Sequence, residues 1–205
     1  GPLMALSVQP AVRMLPSDEA VSLLELVREI CDAELAPKVA TYESEGRFFR
    51  DELKVLGRAG LLSLPYPESA GGGGQPYEVY LQALEEIAGC WLSMGVSMSV
   101  HSLACFPVAE FGTDEQRTRW LPDMLGGELL GAYCLSEPQS GSDAAALQTR
   151  AVHDGDVYVV TGTKAWITHG GVADFYNLMV RTSDDGARGI SCLLADASTT
   201  GLSSA

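Results

Sequence analysis

Two hydrophobic rhythms divide the chain near residue 128. Before that point apolar residues recur every three or four positions. In Ser17–Ile30, Ala20, Leu23, Leu24, Val27 and Ile30 share one face, and Glu25, Arg28 and Glu29 lie off its centre, the spacing of a half-buried helix. Ser17 is a natural N-cap, followed by Asp18 and Glu19 where acidic groups complement the helix dipole. Pro37 is expected to break or bend the continuation. A second helix is predicted over Arg50–Ala59, closed by Gly60. The segment LPYPESAGGGG (Leu64–Gly74) denies any regular element. It reads either as a flexible surface turn or as a loop allowing close backbone approach. Tyr77–Gly89 predicts a third helix. Cys90–Phe111 is apolar nearly all round and carries no acid or base before Glu110 apart from His101, which predicts a helix buried on most sides. Thr113 with Gln116 three residues on is a capping-box pattern, opening a helix that ends near Gly126-Gly127.

After residue 128 the period shifts towards two. Glu128–Leu135, Leu147–His153, Asp156–Thr161, Phe175–Arg181 and Gly189–Ala195 read as strands, and Asp154-Gly155 between two of them is a hairpin signal. Helices first and strands after argue for an α+β chain: an all-helical domain over residues 4–127, then an antiparallel, β-barrel-like domain over 128–205. No G-x-G-x-x-G follows a strand, so a dinucleotide-binding βαβ unit is disfavoured. The closing STTGLSSA follows a strand directly, so the sheet is expected to be incomplete there.

Composition narrows the partners. Of 205 residues, 46% are apolar and 20% charged, a globular balance. The formal net charge of −14 repels phosphate backbones and anionic lipid, so neither nucleic acid nor membrane is expected as a partner. It leaves room for an anionic small ligand held by local backbone N–H groups. No apolar run is expected to reach the roughly 20 residues of a bilayer span. The five cysteines (Cys31, Cys90, Cys105, Cys134, Cys192) form no C-x-x-C, and only three histidines are present. Reduced thiols in a cytoplasmic protein, with no His-based metal site, are the expectation. Gly1-Pro2-Leu3 ahead of Met4 reads as an expression scar.

Two segments carry candidate chemistry. In YCLSEPQSGSD (Tyr133–Asp143), Pro138 ends a strand, and Ser140, Gly141 and Ser142 offer successive N–H groups and hydroxyls suited to phosphate oxygens. The same residues fit an ordinary turn in which Ser142 and Asp143 cap a short helix. In GTKAWITHGG (Gly162–Gly171), Trp166 offers a flat stacking surface and Thr168 a hydroxyl two residues on. If extended, the pair would share a face and meet one planar heterocycle. A core tryptophan beside a turn is the plainer alternative.

Together the segments resemble the two flavin-contacting signatures of the acyl-CoA dehydrogenase family. LPYPESAGGGG and FGTDEQRTRWLPDMLGGELLGAYCLSEP resemble its helical half and the run into its sheet. The resemblance implies a C-terminal four-helix domain beyond this chain, FAD as cofactor and a fatty acyl-CoA substrate. Tyr133, Leu135 and Ser136 would lie against the isoalloxazine, Ser136 standing where Thr is usual. Gly141 and Ser142 would meet the pyrophosphate, with Ser142 also at the substrate. Trp166 and Ile167 would flank the ring, and Thr168 would bond near N5. His169 stands where Asn is common and receives no role. Met94, Met98 and His101 are candidates for the acyl pocket. The family's base, a glutamate of the missing domain, is not expected in these residues, so the chain alone is expected to be inactive. An electron-accepting flavoprotein, and a homotetramer or homodimer at full length, are the implied partners, in fatty-acid β-oxidation. The alternatives are a non-catalytic fragment or scaffold of the same fold, and a same-fold flavin monooxygenase or oxidase.

Overall fold

The computed structural model describes residues 12–204; the segment 1–3 expected to be a scar and the start of the 4–127 segment lie outside the described residues. Among the described residues six α-helices precede five strands: α1 (Asp18–Ile30), α2 (Ala36–Glu45), α3 (Arg50–Arg58), α4 (Tyr77–Cys90), α5 (Leu92–Phe111), α6 (Asp114–Leu125), β1 (Gly131–Cys134), β2 (Arg150–Asp154), β3 (Val157–Thr161), β4 (Phe175–Arg181) and β5 (Ile190–Asp196).

The local signals explain most of the helices. Ser17 Oγ accepts from the Ala20 amide at 3.1 Å, and α1 buries Ala20, Leu24 and Val27. Pro37 does not break the chain. The helical run continues unbroken from α1 into α2, and Cys31–Leu35 just before Pro37 widens into a π-helical turn, the local adjustment with which a helix takes in a residue that has no N–H. Gly60 takes φ 74 after α3, a left-handed conformation that glycine adopts without strain. The Leu64–Gly74 loop is built for close approach: a Cβ on Gly72 would lie 2.2 Å from the Tyr66 carbonyl oxygen. Thr113 and Gln116 cap α6 reciprocally, at 2.9 and 3.2 Å. Thr113→Ala is expected to cost about 1 kcal/mol in urea unfolding; a change near zero would mean solvent satisfies those amides equally well.

Helix α5 is the central beam. It packs against α4, α6 and β1 and buries Met94, Met98, His101, Ala104 and Cys105 among others. At 20 residues, it does reach the length and apolarity of a bilayer span, against the sequence expectation. Half of it is buried inside the fold, so its apolar character is that of a core helix. Leu92, Val96, Leu103 and Phe106 remain exposed along its outer face. Pro107 lies inside the helix and lacks the N–H that would bond one turn back. Around it, the Tyr66 hydroxyl donates to the Ser102 carbonyl, and Asn177 Nδ2 donates to the Ala104 carbonyl.

The sheet differs from the expected antiparallel barrel. It is mixed and open. β4 lies between β1, which is parallel to it, and β5, which is antiparallel. The long excursion from Cys134 to Phe175 supplies the crossover that parallel pairing needs. β2 and β3 form the expected hairpin at Asp154-Gly155, but β2 meets β4 only at Arg150–Arg181. The hairpin therefore stands away from the core, with Val157, Tyr158, Val159 and Val160 exposed. The first strand starts at Gly131 and the second at Arg150, later than the sequence pattern indicates, because Glu128–Leu130 and Leu147–Thr149 serve as connections.

Helices and sheet share a core. Phe175 of β4 is fully buried among Ala104, Cys105, Met124 and Leu125. Arg50 of α3 donates to the Glu128 carbonyl at 3.0 Å and pairs with Asp174, whose carboxylate also accepts from the Leu130 amide at 2.7 Å.

Candidate functional site

The two motif segments are the loops that leave β1 and β3, and they are bonded to each other. The Ala165 amide donates to the Ser136 carbonyl at 2.9 Å. Lys164 Nζ donates to the Leu135 carbonyl at 2.9 Å and to Glu137 Oε1 at 2.8 Å. Glu137 is buried and also accepts from the Gln148 amide at 2.7 Å, the Thr149 amide at 2.9 Å and Gln139 Nε2 at 2.7 Å. Burial opposes its ionisation, yet the bonds from Lys164, Thr149 and Gln148 outweigh it and hold the carboxyl at about 2. Lys164 was not among the candidate residues. Its only sequence signal is a lone charge in GTKAW, with an acid in LSEPQS to pair with.

Around Pro138 the chain reverses tightly: Glu137 and Ser140 exchange both backbone bonds, at 2.8 and 3.0 Å. Ser140 is buried and donates to the Asp143 carbonyl at 2.8 Å. Gly141 and Ser142 are left exposed on the outside of the turn. Asp143 leads into a single 3₁₀ turn, Ala144–Ala146, without a side-chain capping bond, so the capping reading of this stretch does not describe it.

The segment carrying Trp166 and Thr168 is a turn, not a strand, which corrects the shared-face expectation. Trp166 has φ 62 and His169 φ 68, both left-handed, so the chain bends between them. A bulky residue in that region is strained and needs the surrounding bonds to hold it. The indole of Trp166 is 91% exposed. Ile167 points inward, against Ala132, Cys134, Ala173 and Tyr176, and Thr168 is half-buried. Tyr133, Leu135 and Ser136 are likewise half-buried at the end of β1, and burial pushes the Tyr133 phenol upward.

The structure thus brings Leu135 and Ser136 against the turn that carries Trp166–Thr168, with Gly141 and Ser142 on the same loop as Ser136. Met94, Met98 and His101 lie apart, fully buried inside the fold. A ligand touching them would have to enter the core. A surface hollow of about 220 Å³, lined by Tyr42, Arg47, Phe48, Phe49 and Ser93 among others, contains none of the predicted site residues.

Comparison with known proteins gives a consistent picture. Residues 17–128 match the model of the acyl-CoA dehydrogenase N-terminal domain, and residues 132–205 match that of the middle domain. An acyl-CoA dehydrogenase of Bacillus subtilis is 36% identical over 188 residues, which is 91% of this chain and 50% of the relative. The human mitochondrial short-chain specific acyl-CoA dehydrogenase is 40% identical over 184 residues, 88% of this chain and 44% of its own. A Mycobacterium smegmatis glutaryl-CoA dehydrogenase in complex with FADH2 superposes with a TM-score of 0.84 at 30% identity, covering 90% of this chain and 47% of that one. The chain spans about half the length of the curated relatives it matches.

Proposed function

This chain belongs to the acyl-CoA dehydrogenase family, and on that premise we propose that it supplies the flavin-holding part of an FAD-dependent α,β-dehydrogenation of an acyl-CoA thioester. The observation that supports the reading best is the bonding of two motif loops into one surface, with Trp166 held outward on left-handed backbone beside it. FAD, when bound, supplies the two-electron acceptor.

The residues suit such a group. The bare indole is a platform for a flat ring. Tyr133, Leu135 and Ser136 offer an edge that is part apolar and part hydroxyl. Gly141 and Ser142 present exposed backbone and a hydroxyl, and a Cβ on Gly141 would meet nothing within 4 Å, so space is open for a diphosphate. Thr168 places a donor beside the tryptophan, and Ile167 roots the turn in the core. For the acyl group we assign the outer face of α5, where Val96 and Leu103 are exposed, with Met94, Met98 and His101 backing it from within.

Proton abstraction from Cα needs a base titrating near the working pH. Glu137 does not suit that role: it is buried, paired with Lys164 and held at about 2. We assign the base to the part of the full-length protein that the relatives have and this chain does not span. The domain boundary is placed at 127/128, and an electron-accepting flavoprotein and a homo-oligomer are proposed as partners of the full-length protein. All five cysteines are free, which suits a reducing compartment such as the cytoplasm.

Titration with FAD, followed by flavin fluorescence and the visible absorption envelope, tests the site. The parent should bind saturably. Trp166→Ala should bind about tenfold more weakly and alter the envelope. Ser142→Ala should lose about 1 kcal/mol of affinity. Absence of saturable binding by the parent, or variants indistinguishable from it, would reject this placement of the ring and its diphosphate.

A further inference from the structure

Two of the three histidines grip one residue from opposite sides. Gly131, the first residue of β1, donates its N–H to His101 Nδ1 at 3.1 Å. That bond fixes the proton of His101 on Nε2, which donates to the Met124 carbonyl at 2.8 Å. On the other side, His169 Nδ1–H donates to the Gly131 carbonyl at 2.7 Å. Gly131 itself cannot yield: a Cβ there would lie 2.3 Å from Phe175 Cζ and 2.6 Å from Ala104 Cβ. The start of β1 is thus a fixed point set by the helices, and His169 ties the Trp166 turn to it.

The same turn has a second anchor, Ala165 on the Ser136 carbonyl just past the far end of β1. Between the anchors lie Trp166, Ile167 and Thr168. His169 closes the turn as well, its carbonyl accepting from the Val172 and Ala173 amides at 3.0 and 2.9 Å. Its ring is 5% exposed and meets Phe48 edge-on, with centroids 5.9 Å apart. Nε2 is buried without a partner. An apolar side chain would fill the space beside Phe48 without that desolvation cost. What the imidazole adds is one directed bond to Gly131.

We infer that His169 is a positioning residue for the proposed flavin site: through the Gly131 carbonyl it sets the height and tilt of the turn that presents Trp166 and Thr168. The inference rests on that reading of the site. It goes further by giving a role to a residue that touches neither ring nor substrate.

Two substitutions separate the bond from the backbone. His169→Gly tolerates φ 68 but has no donor; His169→Asn tolerates left-handed backbone and keeps an N–H donor. Each is measured without flavin, by hydrogen exchange at Gly170, Val172 and Ala173, and with FAD, by titration. Glycine should speed exchange and weaken FAD binding about tenfold, while asparagine stays within about twofold of the parent in both. Rescue by asparagine, with little change in global melting temperature, marks positioning rather than general support. The inference fails if the glycine variant binds FAD as tightly as the parent, or if asparagine loses as much as glycine. A parent that binds no FAD overturns the site reading instead, and the flavin-free exchange rates then judge the anchor by themselves.

Discussion

Glu137→Leu is expected to lower the unfolding free energy by about 3–5 kcal/mol, the cost of leaving one member of a buried ion pair behind. The side chains of Glu137 and Lys164 are 2% and 9% exposed. Removing the carboxylate leaves the ammonium with the Leu135 carbonyl alone, and leaves the Gln148 and Thr149 amides without their acceptor. Urea unfolding followed by far-UV circular dichroism reads the change directly. Lys164→Met added to Glu137→Leu should recover the part of the loss that comes from the orphaned ammonium, but not the part from the Gln148 and Thr149 amides, which still lack an acceptor. A single variant within about 1 kcal/mol of the parent would show that water reaches the pair and that the two loops are joined mainly by the Ala165–Ser136 bond.

Acid should destabilise the fold in two overlapping windows. Burial pulls His101 down from 6.5 to about 4. A histidine with a lowered folded value stabilises fully above its unfolded value, and that contribution is lost as pH falls from about 6.5 towards 4. Glu137 falls from 4.5 to about 2, so its contribution is present above 4.5 and lost as pH falls towards 2. Both losses act in the same direction, so the marginal stability of an ordinary domain, about 5–15 kcal/mol, should be visibly eroded by acid. Unfolding free energies measured from pH 7 to 3 should fall throughout, with the lower limb flattened in Glu137→Gln. A profile flat between pH 6.5 and 5 would mean that His101 is hydrated and titrates normally.

The helical half was legible because its signals are local. Ser17, Thr113 with Gln116, and Gly60 each act within one turn, and each does in the structure what its residue type dictates. The sheet was legible as a list of strands but not as a topology. Whether β1 runs parallel or antiparallel to β4 depends on where the chain goes between them, and period-two alternation carries no such information. Trp166 shows a second limit. A tryptophan followed two residues later by a threonine suggests extended backbone, and nothing in that spacing announces a left-handed bend. Met94, Met98 and His101 were recognisable as members of an apolar core helix, although only half of it is buried. Which of its faces meets the core depends on partners, Phe175 and Met124 among them, that only tertiary packing brings near.

Helix α5 is tied from both sides near Pro107: the Tyr66 hydroxyl donates to the Ser102 carbonyl, and Asn177 of β4 donates to the Ala104 carbonyl. The change of hydrophobic rhythm near residue 128 is consequently bridged by shared packing in the folded molecule. A polypeptide cut there would yield a helical piece missing Phe175 from its middle and a sheet piece missing the surface on which β4 rests. Each piece would expose apolar surface that the other now covers, so the two halves are expected to be stable only as companions.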